Sequence, residues 1–172
     1  MYTRNLLWLV SLVSAAPLYA ADVPANTPLA PQQVFRYNNH SDPGTLDPQK
    51  VEENTAAQIV LDLFEGLVWM DGEGQVQPAQ AERWEILDGG KRYIFHLRSG
   101  LQWSDGQPLT AEDFVLGWQR AVDPKTASPF AGYLAQAHIN NAAAIVAGKA
   151  DVTSLGVKAT DDRTLEVTLE QP

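Results

Sequence analysis

The sequence predicts an α+β (mixed α/β) fold, and three observations carry that reading. Apolar residues at Ala56, Ile59, Val60, Leu63 and Phe64 recur at helical spacing. Trp84 and Ile86, then Tyr93, Phe95 and Leu97, alternate with polar neighbours on either side of Asp88-Gly89-Gly90, the pattern of a β-hairpin. Helical and extended segments then succeed one another without the regular strand–helix–strand order of a parallel sheet.

The first element is an address. Met1 to Ala20 has a basic start at Arg4, an apolar run from Leu6 to Val13, and small residues ending in Leu18-Tyr19-Ala20. A membrane anchor or a buried helix would be the alternative. The run, however, is shorter than the roughly 20 apolar residues a spanning helix requires, and it suits the core of a cleaved secretory leader. Residues 1–20 are therefore expected to be a signal peptide, and the mature protein to be exported, in a Gram-negative cell to the periplasm.

Asp22 to Gln33 reads as an extended lead-in rich in Pro and Ala, and Val34 to Tyr37 as a short strand. Asn38 to Lys50 carries Asp42-Pro43-Gly44 and Asp47-Pro48 and reads as a loop. The spacing predicts a helix from Glu52 with one face buried and Gly66 as its C-terminal cap. A brief strand at Leu67 to Met70 ends in the turn Asp71-Gly72-Glu73-Gly74 and is followed by the hairpin. Thr110-Ala111-Glu112-Asp113 has the composition of a capping box and opens a helix through Phe114, Val115, Trp118 and Val122, stopped by Asp123-Pro124. Shorter helices are expected around Pro129 to Ala135 and from Asn140 to Ala147, the second closed by Gly148. Thr164 to Leu169 alternates after Asp161-Asp162 and reads as a strand. Because the chain stops directly after it, at Pro172, a continuation beyond that residue is expected.

Composition narrows the function. The 172 residues hold 12 Lys and Arg against 21 Asp and Glu, a net charge of −9. Without the leader the balance is 11 basic against 21 acidic residues, near −10. An acidic surface argues against nucleic acid or anionic lipid as a partner. The absence of cysteine excludes disulfides, thiolate chemistry and a lipid-modified N-terminal cysteine. His40, His96 and His138 are too far apart in sequence for a zinc motif, and His96 falls on the solvent side of the hairpin, out of phase with Phe95 and Leu97. Glu52/Glu53, Glu112/Asp113 and Asp161/Asp162 sit at a helix start, in a capping box and in a turn, so each pair has a structural duty ahead of acid–base catalysis. No Gly-rich phosphate loop or nucleophile elbow is present. These readings predict no catalytic residue, no metal and no cofactor: the chain is not an enzyme.

Several segments together carry a resemblance: Asp62-Leu63-Phe64-Glu65-Gly66-Leu67, Ala81-Glu82-Arg83-Trp84, Phe95-His96-Leu97-Arg98, Trp103-Ser104-Asp105-Gly106 and Thr110 to Val115. In this order and spacing the chain resembles the bacterial extracellular solute-binding proteins, family 5, the receptors of peptide and nickel ABC importers. Trp118-Gln119-Arg120, Val122 to Thr126, Ser128 to Ala131, Ile139-Asn140-Asn141 and Leu155 to Ala159 are most similar to the oligopeptide and murein-peptide receptors. Each motif alone is explained by folding, as a helix end, a tight turn or a capped helix start. Their joint order is specific.

The resemblance implies a two-lobed periplasmic-binding-protein fold of the class II type with an extra inserted domain. Residues 21–65 would begin the first lobe and 66–172 would form most of the extra domain. It implies a binding component that delivers short peptides, oligopeptide or murein peptide, to a membrane ABC permease, working as a monomer. By the same resemblance Glu52 and Asn54, assigned to the loop before the first helix, and Phe130, after Ser128-Pro129, correspond to ligand-contacting positions. Oligopeptide receptors often carry Tyr at the last position, and murein-peptide-like relatives carry Phe. A secreted hydrolase or a stand-alone acidic interaction domain is the alternative.

Overall fold

The computed structural model describes residues 28, 31, 32 and 34–172. The predicted leader over residues 1–20 and nearly all of the lead-in lie outside the described residues. The chain divides into two units, Met1–Asn38 and Asn39–Pro172. In the first, Phe35 and Tyr37 stack with ring centroids 6.0 Å apart. The strand predicted over Val34 to Tyr37 does not form. A strand exists through ladder hydrogen bonds to a neighbour, and neither sheet among the described residues includes this segment.

The second unit opens with a loop and helix α1, Asn54–Leu63. The predicted cap at Gly66 is corrected: the helix stops at Leu63 and Phe64 is already extended, with φ −125° and ψ 135°. Tertiary pairing outcompetes the glycine cap here. The carbonyls of Gly66 and Leu67 accept the N–H groups of Gln80 and Ala81 at 3.1 and 2.9 Å, so the backbone must be extended before Gly66. Of the predicted apolar face Ala56 is fully buried, whereas Leu63 is 60% and Phe64 44% exposed.

Strands β1 (Val68–Met70) and β2 (Val76–Pro78) pair antiparallel around the Asp71–Gly74 turn. The hairpin follows as predicted, with β3 at Ala81–Leu87 and β4 at Arg92–Leu97 and with Trp84 opposite Phe95 and Ile86 opposite Tyr93. Helix α2 (Ala111–Val122) starts at Thr110, whose N–H donates to Asp113 Oδ2 at 2.7 Å, the reciprocal half of the expected capping box. Helices α3 (Ala131–Gln136) and α4 (Ala142–Val146) lie close to the predicted segments. Strands β5 (Val157–Asp161) and β6 (Thr164–Thr168) close the unit. The four longer strands form one antiparallel sheet in the order β3-β4-β6-β5.

Alternation along these strands gives the sheet two faces. Leu97, Leu165, Val167 and Val157 point to one side and join Val115 and Val122 of α2, Ile145 of α4, Ile139 and Leu155 in a single apolar cluster. The other side carries ion pairs. Glu166 meets Lys158 Nζ at 2.9 Å and Arg92 Nη1 at 3.7 Å, and Glu85 meets His96 Nε2 at 2.8 Å. Arg163 reaches across to the Leu97 carbonyl through Nε and Nη2, at 3.0 and 2.9 Å. Ala111 N–H donates to the Asp162 carbonyl at 2.8 Å, tying the start of α2 to the β5–β6 turn.

Gly156 stands where three segments meet. Its N–H donates to Asn140 O at 2.9 Å, Asn140 N–H to Thr168 O at 3.0 Å, and Thr168 N–H to Gly156 O at 2.8 Å. A Cβ on Gly156 would lie 2.5 Å from Asn140 Cβ and 2.7 Å from the Thr168 carbonyl oxygen.

The loop before α1 is held to α2 by side chains. Arg120, in the last turn of α2, donates through Nη1 to Asp47 Oδ1 at 2.9 Å and through Nη2 to Asp47 Oδ2 at 2.6 Å. The same Nη1 lies 2.7 Å from Gln49 Oε1, and Gln49 Nε2 donates to the Gly117 carbonyl at 2.5 Å. The Arg120 guanidinium brings the Asp47 carboxyl down to about 2, assisted by the Gln49 N–H. Just beyond, Val51 buries its side chain.

Two expectations follow for stability. Gly156→Ala lowers the thermal midpoint by the equivalent of about 1–3 kcal/mol, the usual cost of forcing volume into a packed site; an unchanged midpoint would mean the three segments can part without strain. For Asp47, a folded-state pKa below the unfolded one stabilises the fold above the unfolded value, near 3.9, and that contribution is lost as pH falls through the folded value. The gap in thermal midpoint between the protein and Asp47→Asn is therefore constant above pH ~5, shrinks below it, and is mostly lost by pH ~2. Thermal melts from pH 2 to 7 measure it.

Candidate ligand-binding site

Glu52 and Asn54 flank Glu53, the N-cap of α1, and both are exposed. Glu53 is extended, with φ −94° and ψ 139°, so the chain enters the helix abruptly. Its own carboxylate is turned back, accepting Gly44 N–H at 3.1 Å. No hydrogen bond or ion pair among the described residues engages the side chains of Glu52 or Asn54. A free carboxylate and a free amide two residues apart can accept from a ligand's ammonium or N–H groups, and the amide can also donate.

Phe130 is the residue before α3, half-buried, with its ring stacked on Tyr133 at 5.8 Å and 27°. Its N–H donates to Ser128 Oγ at 3.2 Å, and buried Thr126 anchors the turn that leads to it. No hydrogen bond or ring contact joins Phe130 to Glu52 or Asn54 among the described residues. What the two places share is an element. The C-terminal end of α2 holds the loop that runs into Glu52, through Arg120, and leads through Asp123 and Pro124 into the turn that carries Phe130. Asp47, Gln49 and Arg120 are functional candidates that sequence reasoning missed. A basic residue in the last helical turn was visible and favours the helix dipole, but nothing in the sequence paired it with a residue so distant.

Two other features surround these positions. His96 sits on the outer face of the hairpin, as its phase predicts, and its bond to Glu85, reinforced by Arg83, lowers the Glu85 carboxyl from its ordinary value. A groove of about 490 Å³ opens between the end of α1, the 102–109 turn and the start of α2, floored by Leu63, Phe64, Trp103, Leu109 and Phe114. Gln80 lines it, and its Oε1 is buried without a hydrogen-bond partner. Glu52, Asn54 and Phe130 do not line this groove. Among the described residues no three His, Asp or Glu side chains converge as a metal cage, and no helix is long and apolar enough to cross a membrane.

Comparison with known proteins gives the family and the fold. Residues 75–172 match the profile described as bacterial extracellular solute-binding proteins, family 5 Middle. The periplasmic oligopeptide-binding protein OppA of Salmonella typhimurium is 51% identical over 164 residues, which are 95% of this chain and 30% of that protein. The periplasmic murein peptide-binding protein MppA of Escherichia coli is 46% identical over the same number of residues, again 95% of this chain and 30% of the relative. Among solved structures, the E. coli murein tripeptide binding protein MppA superposes with a TM-score of 0.72 at 47% identity, covering 76% of this chain and 25% of that one. Haemophilus influenzae OppA in complex with RPPGFSPFR gives 0.74 at 44% identity, covering 78% and 26%. The chain thus spans about 30% of the length of the curated relatives it matches, and its α+β architecture is part of their periplasmic-binding-protein fold. With more than half its residues inside the family profile and its motifs in the family's order, the chain belongs to the bacterial extracellular solute-binding proteins, family 5.

Proposed function

We propose that this chain is the N-terminal part of the binding component of an ABC peptide importer, capturing short peptides outside the inner membrane and handing them to a membrane permease. The observation that carries this reading is the 46–51% identity, along 95% of the chain, to proteins named for periplasmic oligopeptide and murein-peptide binding. On this reading residues 1–20 are a leader cleaved on export, residues 21–65 begin the first lobe, and residues 66–172 make up most of the extra domain. The protein works as a monomer in the periplasm. Glu52 and Asn54 accept from the ligand's N–H groups, and Phe130 offers an apolar wall.

Peptides of different sequence share a backbone and two termini. A receptor can therefore draw affinity from main-chain hydrogen bonds while leaving side chains in roomy, hydrated pockets. Free polar groups at a loop–helix junction, and elsewhere an aromatic that lacks a hydroxyl, suit that division. Binding and release involve no covalent step, so the bound peptide leaves intact and the protein is not an enzyme.

Isothermal titration of the full-length protein with short peptides and with murein tripeptide is expected to give saturable heat with at least one of them, the ligand being recovered uncleaved. Absence of heat with every peptide sinks the reading. Residues 21–172 alone, lacking the second lobe, are expected to bind none of these ligands. Micromolar binding by that piece would relocate the site into it.

A further inference from the structure

The segment from Asn39 to Glu53 has no helix or strand; its regular feature is the turn in which Lys50 N–H donates to Asp47 O at 2.9 Å. Such a segment has two soft dihedrals per residue and holds its course only where something grips it. The grip is the Arg120 side chain. Its fork binds both oxygens of Asp47, at 2.9 and 2.6 Å, and also Gln49 Oε1 at 2.7 Å, while Gln49 Nε2 reaches back to Gly117 O at 2.5 Å. Arg120 itself rides on a helix whose Ala111, Val115 and Val122 are buried in the core, so the grip has a fixed base. Beyond the gripped residues the chain passes buried Val51 and arrives at Glu52 and Asn54.

The pair is only a modest source of stability. Its side chains are 46% and 25% exposed, where ion pairs contribute little to folding. Its geometry is specific nonetheless: a planar fork meeting both carboxylate oxygens fixes distance and orientation together, which a lysine ammonium cannot do. An arrangement that is weak in energy and strict in geometry is suited to presenting a neighbour rather than to holding up a fold.

We propose that Arg120 is a positioning residue for ligand capture: by holding Asp47 and Gln49 it sets the backbone that presents Glu52 and Asn54 to the ligand. The proposal rests on the peptide-receptor reading and deepens it. Arg120 acts through the loop and does not touch the ligand. It pre-organises groups that would otherwise have to be ordered when the peptide arrives, at a cost in affinity.

The test is peptide titration calorimetry on the full-length protein, comparing wild type with R120A, R120K, D47N, E52A and the double variant R120A/E52A. R120A is expected to weaken binding about tenfold with a thermal midpoint within a few degrees of wild type. R120K, which keeps the charge and loses the fork, stays several-fold weaker than wild type. In the E52A background R120A adds almost nothing, because both changes disable the same contact. A merely structural arginine would not show that dependence on Glu52. If R120A fails to fold, R120K and D47N carry the same comparison, each with and without E52A. Binding by R120A within twofold of wild type overturns the proposal, as do losses from R120A and E52A that multiply. Wild-type protein that binds no peptide overturns the receptor reading and this proposal with it, so the two failures are told apart by the wild-type titration.

Discussion

The rest of the second unit depends on the packing of α2 against the inner face of the four-stranded sheet. With no cysteine in the chain, no disulfide links these layers, and the apolar interface does most to keep them in register. Leu97, Leu165, Val122 and Ile145 are completely buried in it. Burial of side chains of this size is worth roughly 1.5–3 kcal/mol each, set against the ordering entropy of every residue held in place. The helix start is fixed separately, by the Asp113 cap and by the Ala111–Asp162 hydrogen bond. Position, tilt and rotation of α2 are thereby determined, and three further features inherit them: the Arg120 fork, the Phe130 turn and the Phe114 wall of the groove.

The charged groups arrange themselves around that apolar contact. On the outer sheet face acid and base alternate across the strands, from Lys158 through Glu166 to Arg92 and Asp88, and again from His96 to Glu85 and Arg83. Arg98 and Glu65 pair between β4 and the segment after α1. Most of the basic residues described are thus already engaged by carboxylates. The acidic surplus sits elsewhere, and Glu52 is one member of it.

Much of the fold was legible because its signals were local. The hairpin announced itself through alternation about Asp88-Gly89-Gly90, α2 through a cap and a proline stop, and β6 through Leu165 and Val167. What was not legible depended on distant partners. Strand β5 has Lys158, Ala159 and Asp161 among its five residues, a composition that does not favour strand, and it becomes one because β6 offers it an edge. Gly66 carried the chemistry of a helix cap but serves an extended pairing with Gln80. Val34 to Tyr37 had the composition of a strand and joins neither sheet among the described residues. The candidate site followed the same rule. Glu52, Asn54 and Phe130 came from resemblance, whereas the Asp47–Arg120 pair, 73 residues apart, needed coordinates.

The strand order has a kinetic consequence. The sheet consists of two local hairpins, β3–β4 and β5–β6, joined along the β4–β6 seam, where Arg92 faces Thr168 and His96 faces Thr164, about seventy residues apart. Each hairpin can form in microseconds, whereas the seam must close a long loop that contains three helices. As the polypeptide leaves the ribosome the first hairpin emerges well before its inner neighbour exists. Until then Tyr93 and Phe95 lack the strand that will flank them, and one edge of β4 stands open to any extended chain nearby. When β6 arrives it converts that open edge into the centre of a sheet.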